Sequence, residues 1–312
     1  MIIIKCFRRD GNKRNTQKRY ISKRYFPIDN MLVKGPASPL LCNKLSNQTN
    51  VDTVEVQTKV FPDEERYVKI DGDVQEKNCT VVQTTYPNKH LLELFMIQNA
   101  LKENGASSIR IVVPYYSYGR QDQVFEKGEA VSAKAFARRI DIEADEFYSI
   151  DLHSEEIVDF FHVPAENLSA MTRLAEHSLD EKDPDLLIAP DEGAKDMVKE
   201  AAVSVGLEWD YLEKTRIDAN TVEIKPKSID VKGKSVVILD DIIATGGTMT
   251  EAARQLKESG AEEVHAGCTH GLFAGDAKEK LGSVCDSFFC TDTIEQEKSE
   301  VSVAPLLTDI IK

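Results

Sequence analysis

The 312-residue chain has little cysteine, a single tryptophan and no long apolar run. Its six cysteines, at positions 6, 42, 79, 268, 285 and 290, form no Cys-x-x-Cys pair and no regular framework. A reduced, cytoplasmic interior suits that better than a disulfide scaffold. "LLELFMI" is among the longest apolar runs, far short of the roughly 18–20 residues that cross a bilayer, so no membrane partner is expected. Basic charge is also in short supply: 39 Lys and Arg face 53 Asp and Glu, a net −14. The first 30 residues hold nine Lys/Arg against Asp10 and Asp29, about +7, which leaves −21 on the other 282. So acidic a body argues against a nucleic-acid surface, which needs a basic footprint. It fits a soluble enzyme.

The basic head, residues 1–30, has three readings: a misassigned start, a transit peptide, or a tail that binds polyanions. The first is favoured, because "MLVKGPAS" from Met31 is a much better strand-like beginning. From Met31 onward, short β-like runs alternate with amphipathic helical stretches. "NCTVVQTT" precedes "HLLELFMIQNALKENGA", "DLLIAPDEG" precedes "AKDMVKEAAVSVG", and "SVVILDD" precedes "TMTEAARQLKESGA". That rhythm predicts an α/β fold with mostly parallel sheets, their buried strands reading as continuous apolar runs. An internal echo sharpens the expectation. "ALKENGASSI" at 100–109 and "QLKESGAEEV" at 255–264 align without a gap, 155 residues apart, and the same offset lays Val82 on Val237 and Thr85 on Asp240. Two copies of one domain are implied, with the acids in the second copy only.

"VVILDDIIATGGT", 236–248, ends a buried strand on two acids and enters a small, hydroxyl-rich turn before a helix. Ligands of open parallel sheets bind beyond the carboxyl ends of the strands, where Asp240 and Asp241 are expected. The turn Ala244, Thr245, Gly246, Gly247, Thr248 offers backbone N–H groups and hydroxyls at a helix N-terminus, which suits a phosphate monoester. Two carboxylates beside such a cradle need another partner, either vicinal sugar hydroxyls or a metal. A pentose 5-phosphate fits both halves. "GKS" at 233–235 fails as a Walker loop, because it precedes a strand and Ser228 stands at the first glycine position.

These residues resemble the ribose-phosphate loop of the phosphoribosyltransferase-like fold, and five further stretches resemble the ribose-phosphate pyrophosphokinase family, archaeal-type members included. "FYSIDLHSEEIVDFF" looks like that family's Asp-Leu-His signature. The resemblance makes His153 a ligand of Mg²⁺ and ATP phosphate, and Asp191 of "IAPDEGA" a second metal-associated acid. "RIVVPYYSYGRQDQVFEKGEAVSAKAF" implies ATP contacts from Arg120 and Gln121. Only Lys127 remains there of the several basic residues that better-known members carry. "FPDEERYVKI" resembles the stretch that borders adenine, often from a neighbouring subunit, with Phe61, Asp63, Glu64 and Glu65 as its contacts. "YLEKTRID" places Lys214 and Arg216 on one face of a strand, and the resemblance makes them the catalytic cations, Arg216 also touching ribose 5-phosphate.

The likeness runs from about Met31 to "SVAPLL" and implies two duplicated phosphoribosyltransferase-like domains. Residues 31–170 would form the ATP side and 171–312 the ribose 5-phosphate side. It implies ATP and ribose 5-phosphate as substrates, Mg²⁺ as cofactor and a homo-oligomer, from dimer to hexamer. Ala244 departs from the acid that many members carry in the turn. The competing readings are a nucleobase phosphoribosyltransferase, which needs only one such domain, and a non-catalytic regulatory homologue, whose mark would be lost catalytic residues. A chain beginning at Met31 is expected to fold and keep full activity; insoluble protein or a large loss of turnover would contradict that.

Overall fold

The computed structural model describes residues 29–216, 222–226 and 230–312; the basic head up to residue 28 lies outside them. The first half builds a seven-stranded sheet from β1 (Asn30–Lys34), β2 (Asp52–Val60), β3 (Arg66–Asp71), β4 (Asn78–Val82), β5 (Ser108–Val113), β6 (Glu146–Ile150) and β7 (Ala165–Leu168). The second half builds another from β8 (Leu186–Ala189), β9 (Glu208–Arg216), β10 (Val222–Pro226), β11 (Ser235–Ile243), β12 (Glu263–Gly271), β13 (Ser287–Thr291) and β14 (Ser299–Val301). The orders are β3-β2-β1-β4-β5-β6-β7 and β10-β9-β8-β11-β12-β13-β14, one topology used twice. In each sheet every pairing is parallel except the outermost hairpin, β2–β3 or β9–β10.

The parallel strands follow from their sequence. β8 is Leu-Leu-Ile-Ala, buried throughout, and β11 buries Val236 to Leu239 without a break. Strands covered on both faces have no use for polar alternation. The first half's flanking helices are α1 (Pro39–Thr49), α2 (Asn88–Glu103) and α3 (Ser132–Ile140). Those of the second half are α4 (Met171–Lys182), α5 (Lys195–Val205), α6 (Gly247–Glu258) and α7 (Ala277–Gly282). α6 buries Met249, Ala252, Ala253 and Leu256, the i, i+3, i+4, i+7 stripe that packs a helix on a sheet.

The internal echo is this repeat. α2 and α6 end at Glu103 and Glu258, and β5 and β12 begin at Ser108 and Glu263, both pairs 155 apart. The strand before the helix runs differently. Asn78 sits opposite Ser108, whereas Ser235 sits opposite Glu263, so the ladder offset there is 157. Gln83, not Thr85, therefore takes the place of Asp240. A sequence alignment without gaps hides this, because the strand-to-helix turn differs in length by two residues.

A last helix, α8 (Ala304–Ile311), does not stay with the second half to which a division at residue 170 would assign it. Val303, Ala304, Leu307 and Ile311 pack with Leu32, Leu41, Leu45, Val82 and Ile150 in the core of the first sheet. The segment leading into it is tied down on the way. Glu295 Oε1 accepts from the Leu41 amide at 2.7 Å, and Lys44 Nζ lies 2.7 Å from Asp292 Oδ2. The chain thus returns to its first half after finishing its second, which fixes the relative position of the two. Because Leu307 is fully buried there, Leu307→Ala is expected to lower the unfolding free energy by about 2–5 kcal/mol. Urea unfolding checks it; an unchanged midpoint would mean that α8 does not share that core.

Candidate active site

The carboxyl ends of the two sheets face each other, and most of the first sheet's ends are closed by the second half. The Thr84 hydroxyl, just past β4, donates to the Thr293 carbonyl. The buried His270 near the end of β12 reaches the Ile150 and Asp151 carbonyls at the end of β6. What stays open is a cleft of about 370 Å³ beside β8 and β11. Its walls come from both halves: Arg120 and His153 from the first, Asp191, Asp240, Asp241 and the turn 244–248 from the second.

The turn is formed as the sequence predicts. Gly246 caps α6 at φ +75, where an L side chain would be strained. Thr245, Gly247 and Thr248 are exposed towards the cleft. The first amides of a 12-residue helix thus open into the same cleft as two threonine hydroxyls, an arrangement that favours a dianionic phosphate.

The carboxylates differ in state. Burial, with Asp241 and Asp191 close by, pushes Asp240 well above the ordinary aspartate range. Burial also opposes ionisation of Asp241, but the hydrogen bond and charge of His153 hold it below that range. His153 Nδ1 lies 2.9 Å from Asp241 Oδ2, and that bond raises the His153 pKa. A low-pKa carboxylate accepts, so Nδ1 carries the proton and Nε2 is left for a ligand. Asp241, expected from the sequence to contact ribose, is seen here to orient the histidine. Asp191 Oδ1 accepts from the Gly193 amide at 2.9 Å, which turns one oxygen inward to the loop.

Other residues fall outside the cleft. Asp151 is buried, with φ +39 and a carboxyl raised to about 6 by burial, and it accepts from Ala170 N at 3.0 Å and Thr269 Oγ1 at 2.6 Å. It braces the corner beside His153 and does not line the open cleft. Gln121 also stays out of the cleft lining. Its amide donates to Gln123 O and Glu129 Oε2, bracing the loop that carries Lys127. Phe61, Asp63, Glu64 and Glu65 form the tip of the β2–β3 hairpin and do not line the cleft of their own chain. There Phe61 meets Tyr67 edge-on at 6.2 Å, with Lys59 Nζ 4.8 Å above its ring. β8 ends at Ala189 opposite Tyr211, so β9 continues five residues past it, roughly 16 Å, as an arm paired only with β10. Lys214 and Arg216 sit on that arm opposite Ile224 and Val222; their side chains lie outside the described residues.

Twin sheets of this topology with a Thr-Gly-Gly-Thr cradle beyond the carboxyl end of the second one's central strand define a duplicated protein of the phosphoribosyltransferase class. The comparisons narrow that class. The sequence profile of the N-terminal domain of ribose phosphate pyrophosphokinase matches residues 30–142, and that of the phosphoribosyl transferase domain matches 160–305. A ribose-phosphate pyrophosphokinase of Methanothermobacter thermautotrophicus is 42% identical over 287 residues, covering 90% of this chain and 100% of the relative. One from Methanosarcina acetivorans is 38% identical over 284 residues, covering 90% and 99%. The crystal structure of phosphoribosylpyrophosphate synthetase from Mycobacterium smegmatis superposes with a TM-score of 0.80 at 29% identity, covering 90% of this chain and 97% of that one. The chain belongs to the ribose-phosphate pyrophosphokinase family.

The raised Asp240 gives a test that needs no ligand. Its charge carries a penalty in the folded state at every pH above its folded pKa, and the penalty fades as pH falls through that value towards the ordinary aspartate range. Asp240→Asn keeps the oxygen that accepts from the Asp241 amide and removes the charge. The variant is expected to be more stable than the parent at neutral pH, with the gap closing in acid. Urea unfolding across pH would contradict this by showing the variant equal or weaker at neutrality.

Proposed function

We propose that this chain transfers the β,γ-diphosphoryl group of ATP to the C1 hydroxyl of D-ribose 5-phosphate, giving phosphoribosyl pyrophosphate and AMP. The observation that carries the reading is a cleft in which the 244–248 cradle and Asp240–Asp241 meet Arg120 and His153 of the other half. The cradle takes the 5-phosphate. Asp240 and Asp241 accept from the ribose hydroxyls, and that contact, or a cation, offsets the burial and the nearby negative charge that raise Asp240. Arg120 lies on the opposite wall as a partner for ATP phosphate. The hairpin tip with Phe61, Asp63, Glu64 and Glu65 serves ATP only by reaching the cleft of a second copy, which makes a homo-oligomer part of the proposal. Gln121 acts on the shape of its loop.

Mg²⁺ fits the donor set. Among the described residues no three His, Cys, Asp or Glu side chains form a metal cage. Magnesium is bound through one or two carboxylates together with substrate phosphates, so it does not require one. A histidine whose other ring nitrogen is held by a carboxylate is the usual supporting arrangement for a metal ligand, and Asp241 gives His153 that support. His153 and Asp191 are the residues that would hold the ion, and when bound it neutralises charge on the transferring phosphates. The protein's own task is then to place the anomeric oxygen in line with the β-phosphorus and exclude water. Lys214 and Arg216, carried on the β9–β10 arm, are assigned to the charge that develops on the moving diphosphoryl group. The described helices include none long and apolar enough to cross a membrane, in keeping with an enzyme acting on two water-soluble metabolites in the cytoplasm.

With ATP, Mg²⁺ and ribose 5-phosphate, AMP is expected to appear in equal amount to the sugar product and to depend on the sugar. ADP as the nucleotide product would mean an ordinary kinase, and no sugar-dependent turnover would remove the assignment. Alanine at Lys214 or Arg216 is expected to lower kcat by roughly 10²–10³-fold with a modest change in KM. Steady-state kinetics showing only a raised KM would reassign the pair to ground-state binding.

A further inference from the structure

His270 belongs to none of the sequence motifs, yet it sits where the two halves join. It is buried at the end of β12, 120 positions from the carbonyl of Ile150 in sequence but 3.0 Å from it through Nε2, and 3.1 Å from the carbonyl of Asp151. Carbonyls only accept, so Nε2 carries the proton, and Nδ1 faces the Thr293 hydroxyl at 2.9 Å. The ring also lies against Tyr115, with 4.8 Å between centroids. Two residues beyond Ile150 and Asp151, the chain presents His153 to Asp241.

The corner that His270 holds is strained. Asp151 stands at φ +39, a region a non-glycine residue enters at a cost. Such a corner persists only if its surroundings fix it. Here Thr269, the neighbour of His270, donates to the Asp151 carboxylate at 2.6 Å while His270 donates to the two carbonyls. Adjacent residues of the second half thus grip the side chain and the backbone of one corner in the first. Nothing in this grip touches the cleft's phosphate cradle.

We infer that His270 is a positioning residue: through its bonds to the Ile150 and Asp151 carbonyls it sets the place of His153 opposite Asp241 and hence the metal–phosphate side of the cleft. The inference rests on the proposed reaction, in which His153 acts on metal and ATP phosphate. His270→Leu keeps the bulk and removes the donor, whereas His270→Gln keeps an N–H that can reach the carbonyls. The leucine variant is expected to lose roughly 10–100-fold in kcat, as a misplacement of about an ångström costs, and to need more Mg²⁺ for half-maximal rate. Its KM for ribose 5-phosphate should stay unchanged, and the glutamine variant should recover most of the loss. Equal defects in both variants, or a KM for ribose 5-phosphate that rises as much as kcat falls, would overturn the inference in favour of a general packing role.

Two further measurements keep the question decidable if the leucine variant folds poorly. In the His153→Ala background, His270→Gln and His270→Leu should have the same turnover, because the group through which they differ is gone; a persisting difference counts against the inference. In unliganded protein, the ring N–H resonance of His153 that reports its bond to Asp241 should survive in the glutamine variant and broaden or vanish in the leucine variant. A resonance unaltered in both would sink the proposal without reference to turnover. If the parent enzyme makes no AMP from ATP and ribose 5-phosphate, the proposed function fails, while the resonance still tests the positioning.

Discussion

The hydrogen bond between His153 and Asp241 joins the end of one sheet to the end of the other, and the open cleft is built around it. It holds only if the two sheets present their carboxyl ends to each other. The rest of the chain reads as the means to that end: α8 returned to the first core, Glu295 at the start of α1, and the buried threonine and histidine contacts behind β6. The bond also sorts two adjacent acids into different states. His153 holds the Asp241 carboxyl below the ordinary aspartate range, while burial and the neighbouring acids raise Asp240 well above it.

Duplication explains how the two halves come to use the same crevice differently. Both sheets have the same order, so both have the same crevice beyond their strands. In the first, Gln83 stands where Asp240 stands in the second, and its Oε1 accepts from the Ala37 amide at 3.0 Å. The next residue, Thr84, bonds to Thr293. One crevice has become the seat of the interface between the halves, and the other has kept the acids and the glycine turn. A ligand bound in the second crevice meets, across the boundary, whatever the first half presents at the end of β6.

Much of this was legible in the sequence because it is local. Continuous apolar runs ending in Asp240 and Asp241, and a Gly-Gly turn before a helical stripe, fix the strand end, the cradle and the helix within a dozen residues. What escaped depends on contacts between distant positions. The sequence does not show that Asp151, two residues before His153, is turned away at φ +39 and accepts from Thr269. His270 was passed over because a histidine after an apolar strand carries no signal until the opposing carbonyls are known. The hairpin tip at Phe61 to Glu65 matches its motif, and it does not line the cleft of its own chain, in keeping with the resemblance to a stretch that often serves a neighbouring subunit. The offset of 157 in β4 against 155 in the helix is likewise set by ladder pairing, which no gapless alignment sees.

The central claim is that the two halves meet through His153 and Asp241 to make one catalytic unit. The direct measurement is a double-substitution cycle on the rate of AMP formation, with His153→Ala, Asp241→Asn and the pair. If the two act as one unit, the expected result is strong non-additivity: each single change costs nearly as much as both together. Losses that simply multiply would contradict the account, because His153 and Asp241 would then be serving the reaction from separate places.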